Sequence, residues 1–222
     1  MILTELEDSG IVSGLKIILR DAKKELMKKS KIREETKKNM RKAQRLSKQA
    51  ILRIHRKKNL EAESLINNAK EIITELQNKS QDYPDIVFTG MFSDVLQEYS
   101  EANILFNLIK NNRFITPNEL NVPFVEYILG LADVIGEYRR LSLDVIREDL
   151  VEKSEKYLTI MEEIYLELLA MDEAYMLVSG LRRKCDVARK IIEITRGDIT
   201  QEVRRKSLEK YLRKVEKNQK KN

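Results

Sequence analysis

Apolar residues recur at helical spacing along almost the whole chain, and the gaps between runs mark the expected helix ends. From Ser13 to Gln77 there is no Pro, and no Gly after Gly14. Ile17, Ala22, Met27 and Ile32 are sparse among Lys and Glu, whereas Ala43, Leu46, Ala50, Ile51 and Ile54 form a tighter stripe. Ala62, Leu65, Ile66, Ala69, Ile72, Ile73 and Leu76 continue it, which predicts one very long helix, or two with a break near Lys57-Lys58-Asn59. Asn78 to Gly90, with Tyr83-Pro84-Asp85 and Thr89-Gly90, is the first strong breaker. An apolar helix over 91–111 should stop at Asn111-Asn112. Thr116-Pro117-Asn118-Glu119 predicts a short helix with Thr116 as N-cap, Pro117 in the first turn and Glu119 closing a capping box. Longer helices are expected over 124–149, 151–178 and, after Gly180, 181–195, where Gly197 reads as a C-cap. A last helix over 199–216 would fray into a disordered basic tail at 217–222. No strand-like alternation, fixed-period repeat or Gly/Ser linker is present, so the expected fold is all-α, a single domain over 1–222 with about seven helices.

Composition agrees with long helices: 7 Gly, 3 Pro, no Trp and 35% charged residues. One cysteine, Cys185, rules out an internal disulfide and suits a reducing cytoplasm. The start Met1-Ile2-Leu3-Thr4-Glu5 lacks the layout of a signal peptide, and no apolar run could span a bilayer, so a cytoplasmic protein without a membrane partner is expected. The net charge of +6 conceals segregation: 18 Lys and Arg face 7 Asp and Glu in residues 1–60, 9 face 23 in 61–178, and 15 face 6 in 179–222. Basic ends around an acidic middle suit a polyanionic partner, with the central acids reserved for cations; solvated helix faces are the plainer alternative.

The acids that matter lie on the two most apolar helices. Glu98 and Glu101 are three apart, Asp133 and Glu137 four apart, and each spacing puts both carboxylates on one helix face. Neighbours such as Val95, Leu96, Ile104, Val134 and Ile135 make partial burial plausible, and burying like charges together is costly unless a cation joins them. Oxygen-only ligands suit Mg²⁺, Mn²⁺ or Ca²⁺. With His55 the only histidine, paired-histidine RNA cleavage and His-rich zinc sites are unavailable. No glycine-rich phosphate loop occurs, and Cys185, between Lys184 and Asp186 without a histidine nearby in sequence, reads as a buried structural thiol. Carboxylates are left as the credible catalytic groups, with a solvated face the alternative for either pair alone.

At these motifs the sequence resembles the translin family, and its trax-type branch in particular, in a shortened archaeal or otherwise minimal form. The resemblance is carried by Leu96-Gln97-Glu98-Tyr99-Ser100-Glu101-Ala102 and Ile115-Thr116-Pro117-Asn118-Glu119-Leu120. It is strongest over Val125 to Asp133 and Glu137 to Arg140, and is also present over Ser47 to Arg56 and Leu181 to Gly197. It implies a seven-helix translin-like protomer that assembles into a closed hollow oligomer, an octamer, with a translin-like second subunit as a possible partner. For the trax branch it implies a Mg²⁺-dependent endoribonuclease, Mn²⁺ being a substitute, that cuts single-stranded RNA. The family's catalytic and metal-holding acids fall on Glu98, Glu101, Asp133 and Glu137. The alternative is a non-catalytic oligomer of the translin type that binds single-stranded RNA or DNA. Where the family carries a basic stretch before the first acidic helix, this chain has Asp85-Ile86-Val87-Phe88-Thr89-Gly90.

For RNA binding the expected track is Arg45, Lys48, Arg53, Arg56, Lys57 and Lys58, with Arg139 and Arg140 close to Glu137. Arg140 could hold a substrate phosphate or simply pair with Glu137. Tyr99 and Tyr138 adjoin the acids and read either as base-stacking groups or as core.

Overall fold

The computed structural model describes residues 10–219 and is all-α, with no strand among the described residues. Helix α1 (Gly10–His55) runs for 46 residues, or about 70 Å at 1.5 Å per residue. The first buried residue among its described side chains is Thr36; before that Leu15, Ile17, Ile18, Leu19, Leu26 and Met27 stay exposed. The helix stops where the sequence suggests. Lys57 takes a left-handed conformation (φ 59°), and α2 (Asn59–Lys79) returns along α1 with Ala62, Ile66, Ala69, Ile73 and Leu76 buried.

Inside the breaker is a four-residue helix, α3 (Pro84–Val87), begun by Pro84 and anchored by the buried Ile86 and Val87. Of the stretch from Asp85 to Gly90, only Ile86 and Val87 are buried, and Phe88 is 66% exposed. Helix α4 (Gly90–Asn111) ends at Asn112, which adopts the left-handed conformation (φ 51°) that asparagine tolerates at a C-cap. Thr116 caps α5 (Pro117–Leu120) through the full capping box, with Glu119 reaching back to the Thr116 amide at 2.8 Å. Arg113, first, and those Thr116 donors hold the Glu119 carboxyl down at about 2. Helix α6 (Phe124–Arg147) then crosses α4 and packs against α7 (Val151–Leu169) and α8 (Leu181–Gln219).

Two expected boundaries are wrong. The helix expected over 151–178 ends at Leu169, and a 3-10 turn at Asp172–Ala174 leads to Gly180 (φ 88°). Met176, which seemed to extend the apolar stripe, is 93% exposed. Gly197 is not a C-cap: α8 runs through it to Gln219, taking in the first part of the expected tail, while residues 220–222 lie outside the described residues. Buried Thr195 and Ile199 flank Gly197, and Arg139 of α6 ties Thr195 and Asp198 to the bundle, so packing outweighs the roughly 1 kcal/mol that glycine costs a helix interior. A Cβ at Gly197 would meet nothing within 4 Å. Gly197→Ala should therefore raise stability by about 0.5–1 kcal/mol, read as a higher urea midpoint with an unchanged slope.

No helix among the described residues is long and apolar enough to cross a membrane. Cys185 is buried, with the Tyr175 hydroxyl 3.7 Å from its sulfur, which fits the structural role expected of it.

Candidate active site

The site begins with a missing side chain. Gly130 of α6 lies so close to α4 that a Cβ there would sit 2.6 Å from the Gln97 carbonyl oxygen and 2.9 Å from the Glu101 nitrogen. That approach brings the faces carrying Glu98, Glu101, Asp133 and Glu137 together. The third wall is the end of α1, where Lys48, Leu52 and His55 share a face at spacings of four and three. A cavity of about 320 Å³ results, lined by Lys48, Ile51, Leu52, Glu98, Glu101, Glu137 and Arg140. Asp133 lies on the far side, lining a second cavity with Gly136, Arg183 and Lys184.

Three of the four acids have partners from other helices. Lys48 Nζ is 2.9 Å from Glu98, His55 Nε2–H donates to Glu137, and Lys184 Nζ donates to Asp133, which also accepts from Gln97 Nε2 at 2.6 Å. Glu101 is different. It is 8% exposed, and no hydrogen bond or ion pair reaches it among the described residues. Burial first, then the charges of Asp133, Glu137 and Glu98, push its carboxyl up from 4.5 to about 9, with Lys184 opposing weakly. At neutral pH Glu101 is thus a carboxylic acid, and a cation among these groups would favour its ionisation.

The donor set has the chemistry of a hard-cation site: four carboxylates on two touching helices, one of them uncompensated. It is not a preformed cage. Among the described residues no three His, Cys, Asp or Glu groups are gathered to hold an ion as they stand, because Lys48, His55 and Lys184 each draw an acid aside.

The expected RNA contacts divide. Arg45, Arg56 and Arg140 are exposed and make no ion pair among the described residues, and Arg140 lines the acid cavity instead of pairing with Glu137. Arg53 is turned to Glu61 at 2.9 Å, Lys58 bonds the same acid at 2.7 Å, and Lys57 bonds Glu148 at 2.7 Å. Helix α1 ends at His55, so Arg56 and Lys57 lie beyond its last turn. Arg139 is committed elsewhere, donating to Thr195 at 2.7 Å and pairing with Asp198 at 3.4 Å. Tyr99 and Tyr138 are each 1% exposed and belong to the core, not to a stacking platform. Burial raises both hydroxyls, Tyr99 to about 12.

Sequence reasoning missed His55, Lys184, Gln97 and Gly130 as parts of this site. Only His55 left a signal, seven residues after Lys48 on the same helix face.

The family model that matches this sequence, described as the Translin family, covers residues 31–194, a span holding every site residue named above. The chain belongs to the translin family. An uncharacterized protein of Methanocaldococcus jannaschii is 35% identical over 193 residues, 86% of this chain and 85% of its own. Among solved structures, the protein called AfC3PO is similar with a TM-score of 0.74 at 34% identity, over 83% of this chain and 96% of that one. AfC3PO in complex with duplex RNA gives 0.73 at 34% identity over 83% and 95%, and apo-NeC3PO gives 0.74 at 27% identity over 83% and 96%. The translin-family match leaves out residues 10–30 of α1 and the end of α8 beyond residue 194.

Proposed function

We propose that this translin-family chain is a trax-type, Mg²⁺-dependent endoribonuclease that works as a closed oligomer of eight copies in the cytoplasm. The observation that carries the reading is Glu101, a buried and unpartnered carboxyl between two acid-bearing helices. Glu98, Glu101, Asp133 and Glu137 would hold Mg²⁺, or Mn²⁺ in its place, and the ion would neutralise phosphate charge and acidify a water. The protein's own residues supply the rest. Arg140, exposed at the mouth of the acid cavity and free of Glu137, grips a phosphate. His55 holds one oxygen of Glu137, while Gln97 and Lys184 hold both oxygens of Asp133, so these two acids would have to turn from those partners to take up the ion. Ile51 and Leu52 give that cavity an apolar side that lowers the local dielectric.

In a second reading the assembly binds RNA without cutting it; AfC3PO, a similar protein, is solved in complex with duplex RNA. It also puts duplex RNA beside single-stranded RNA, single-stranded DNA being a further candidate. End-labelled single-stranded and duplex RNA, incubated with purified protein in Mg²⁺, Mn²⁺ or EDTA, separate the readings. Internal cleavage in Mg²⁺ and Mn²⁺, absent in EDTA, is expected, with the single strand cut faster. RNA that is retained but intact in every condition would leave the binding assembly as the function.

A further inference from the structure

Helix α1 extends beyond the bundle it belongs to. Lys79, at the end of α2, pairs with Glu35 at 3.0 Å, and Asp85 of α3 pairs with Lys29 at 3.6 Å. From Lys28 outward no ion pair reaches another element among the described residues. Leu15 to Lys28 therefore form an arm of about 20 Å at 1.5 Å per residue. Leu15, Ile18, Leu19, Ala22 and Leu26 make one apolar stripe along it, at i, i+3, i+4, i+7 and i+11, and all are exposed. Ile18 and Ala22 stand 18 residues, five turns at 3.6 per turn, before the buried Thr36 and Met40. The stripe thus points the same way as the face that α1 buries in the bundle, but its own chain leaves it uncovered.

A second exposed apolar surface carries the opposite charge. Between Lys156 and Arg182 the chain has five acids and no base. Glu162 is taken by Arg196 at 2.7 Å, but Glu163, Glu167, Asp172 and Glu173 make no ion pair among the described residues. Leu166 and Leu169, at the end of α7, and Met176 and Leu177, in the turn that follows, are exposed among these acids. Glu163, Leu166, Glu167 and Ala170, at i, i+3, i+4 and i+7, share one outward face. The arm is its complement, since residues 13–30 hold six bases against two acids. Lys16 and Lys23 border the stripe beside Leu19, at i−3 and i+4, and neither makes an ion pair among the described residues.

We propose that the arm of one copy docks on the α7 end and turn of a second copy. Its apolar stripe covers Leu166, Leu169, Met176 and Leu177, and its lysines face the four unpaired acids. The contact lies between copies because α1 packs on α2 and α4, whereas α7 packs on α6 and α8. From Leu15 on, α1 has no Gly or Pro at which the rod could turn back. A nucleic-acid strand would answer the lysines but leave the apolar stripe in water; an acidic surface bearing leucines answers both. Residues 10–30 lie outside the translin-family match, so the contact is this chain's addition to the family domain. It stands apart from the nuclease reading, and RNA cleavage or its absence leaves it untouched.

Cys185 is buried and is the only cysteine, so Ala22→Cys with Ser179→Cys gives a chain with one exposed thiol in each surface. A short flexible bismaleimide, read by gel mass and peptide mapping, should join position 22 of one copy to position 179 of another. In that background Lys16→Glu with Lys23→Glu should cut the yield of this link by about tenfold at low salt. Glu167→Lys with Glu173→Lys should cut it equally, and the four reversals together should restore it. These side chains are all exposed, so urea unfolding should give every variant the parent midpoint. Links between two arms only, links within one chain, or no link at all overturn the docking. An unchanged yield in the arm variant, with RNA retention weakened instead, assigns the arm to the strand and overturns it too.

Discussion

Glu101→Gln should abolish RNA cleavage and, in EDTA, make the protein harder to unfold. Both effects come from one carboxyl held at about 9 by burial and by three neighbouring acids. Glutamine keeps the shape and neutrality that Glu101 has at neutral pH but can never supply a charged oxygen. If Glu101 binds the cation as proposed, its loss should exceed the roughly 10–100-fold penalty typical of losing the groups that merely orient a ligand. The stability effect has a definite sign. Below pH 4.5 Glu101 is protonated in both folded and unfolded chains, so wild type and variant should unfold alike. From about 4.5 to 9 the unfolded chain releases the proton while the folded chain keeps it, so wild-type stability falls as pH rises, by up to about 1.4 kcal/mol per pH unit. The variant lacks this contribution, so its advantage should widen across that window and level off above it, reaching several kcal/mol. Urea unfolding in EDTA at three pH values reads the gap directly. A gap that is constant from acid to alkaline pH would mean that Glu101 is not the buried neutral acid described here.

Gly130→Ala should damage fold and activity together. The added carbon would lie 2.6 Å from the Gln97 carbonyl oxygen, 2.8 Å from Ser100 Cβ and 2.9 Å from the Glu101 nitrogen, two of these being backbone atoms that cannot swing aside. Helix α4 must move away from α6, at a cost of about 1–3 kcal/mol or more. For a chain of this size that lowers Tm by roughly 3–10 °C. The displaced backbone carries Glu98 and Glu101, and a misplacement of about 1 Å can cost a hundredfold in rate. Gly136→Ala, six residues along the same helix, is the control for stability, since its Cβ would meet nothing within 4 Å. Equal melting temperatures for the two variants would contradict the close approach of the helices.

Local chemistry made much of this fold legible. The break at Lys57, the left-handed Asn112 and the Thr116–Glu119 capping box all depend on residues within a few positions of one another. The four acids were visible for the same reason, as pairs one turn apart. What stayed hidden were decisions made by distant partners. His55 meets Glu137 across 82 residues and Lys184 meets Asp133 across 51, and no spacing rule reports such contacts. Gly197 and Met176 misled in the same way: a helix-breaking residue was held in a helix by Arg139, and an apolar residue expected on a helix fell in an exposed turn. Charge runs said nothing of partners within the chain: Arg53, Lys57, Lys58 and Arg139 each pair with an acid of this protein.

Helix α1 is one unbroken rod, with nothing buried among its described side chains before Thr36 and a dense core from Met40 to Ile54. An isolated helical stretch in water is marginal, so the rod's backbone bonds are not equally durable. Among the described residues, opening should therefore be easier in the stretch before Thr36 than in the packed stretch after it, giving a gradient of solvent protection along a single element. The structure thus combines a soft outer arm with the stiff segment that presents Lys48 and His55.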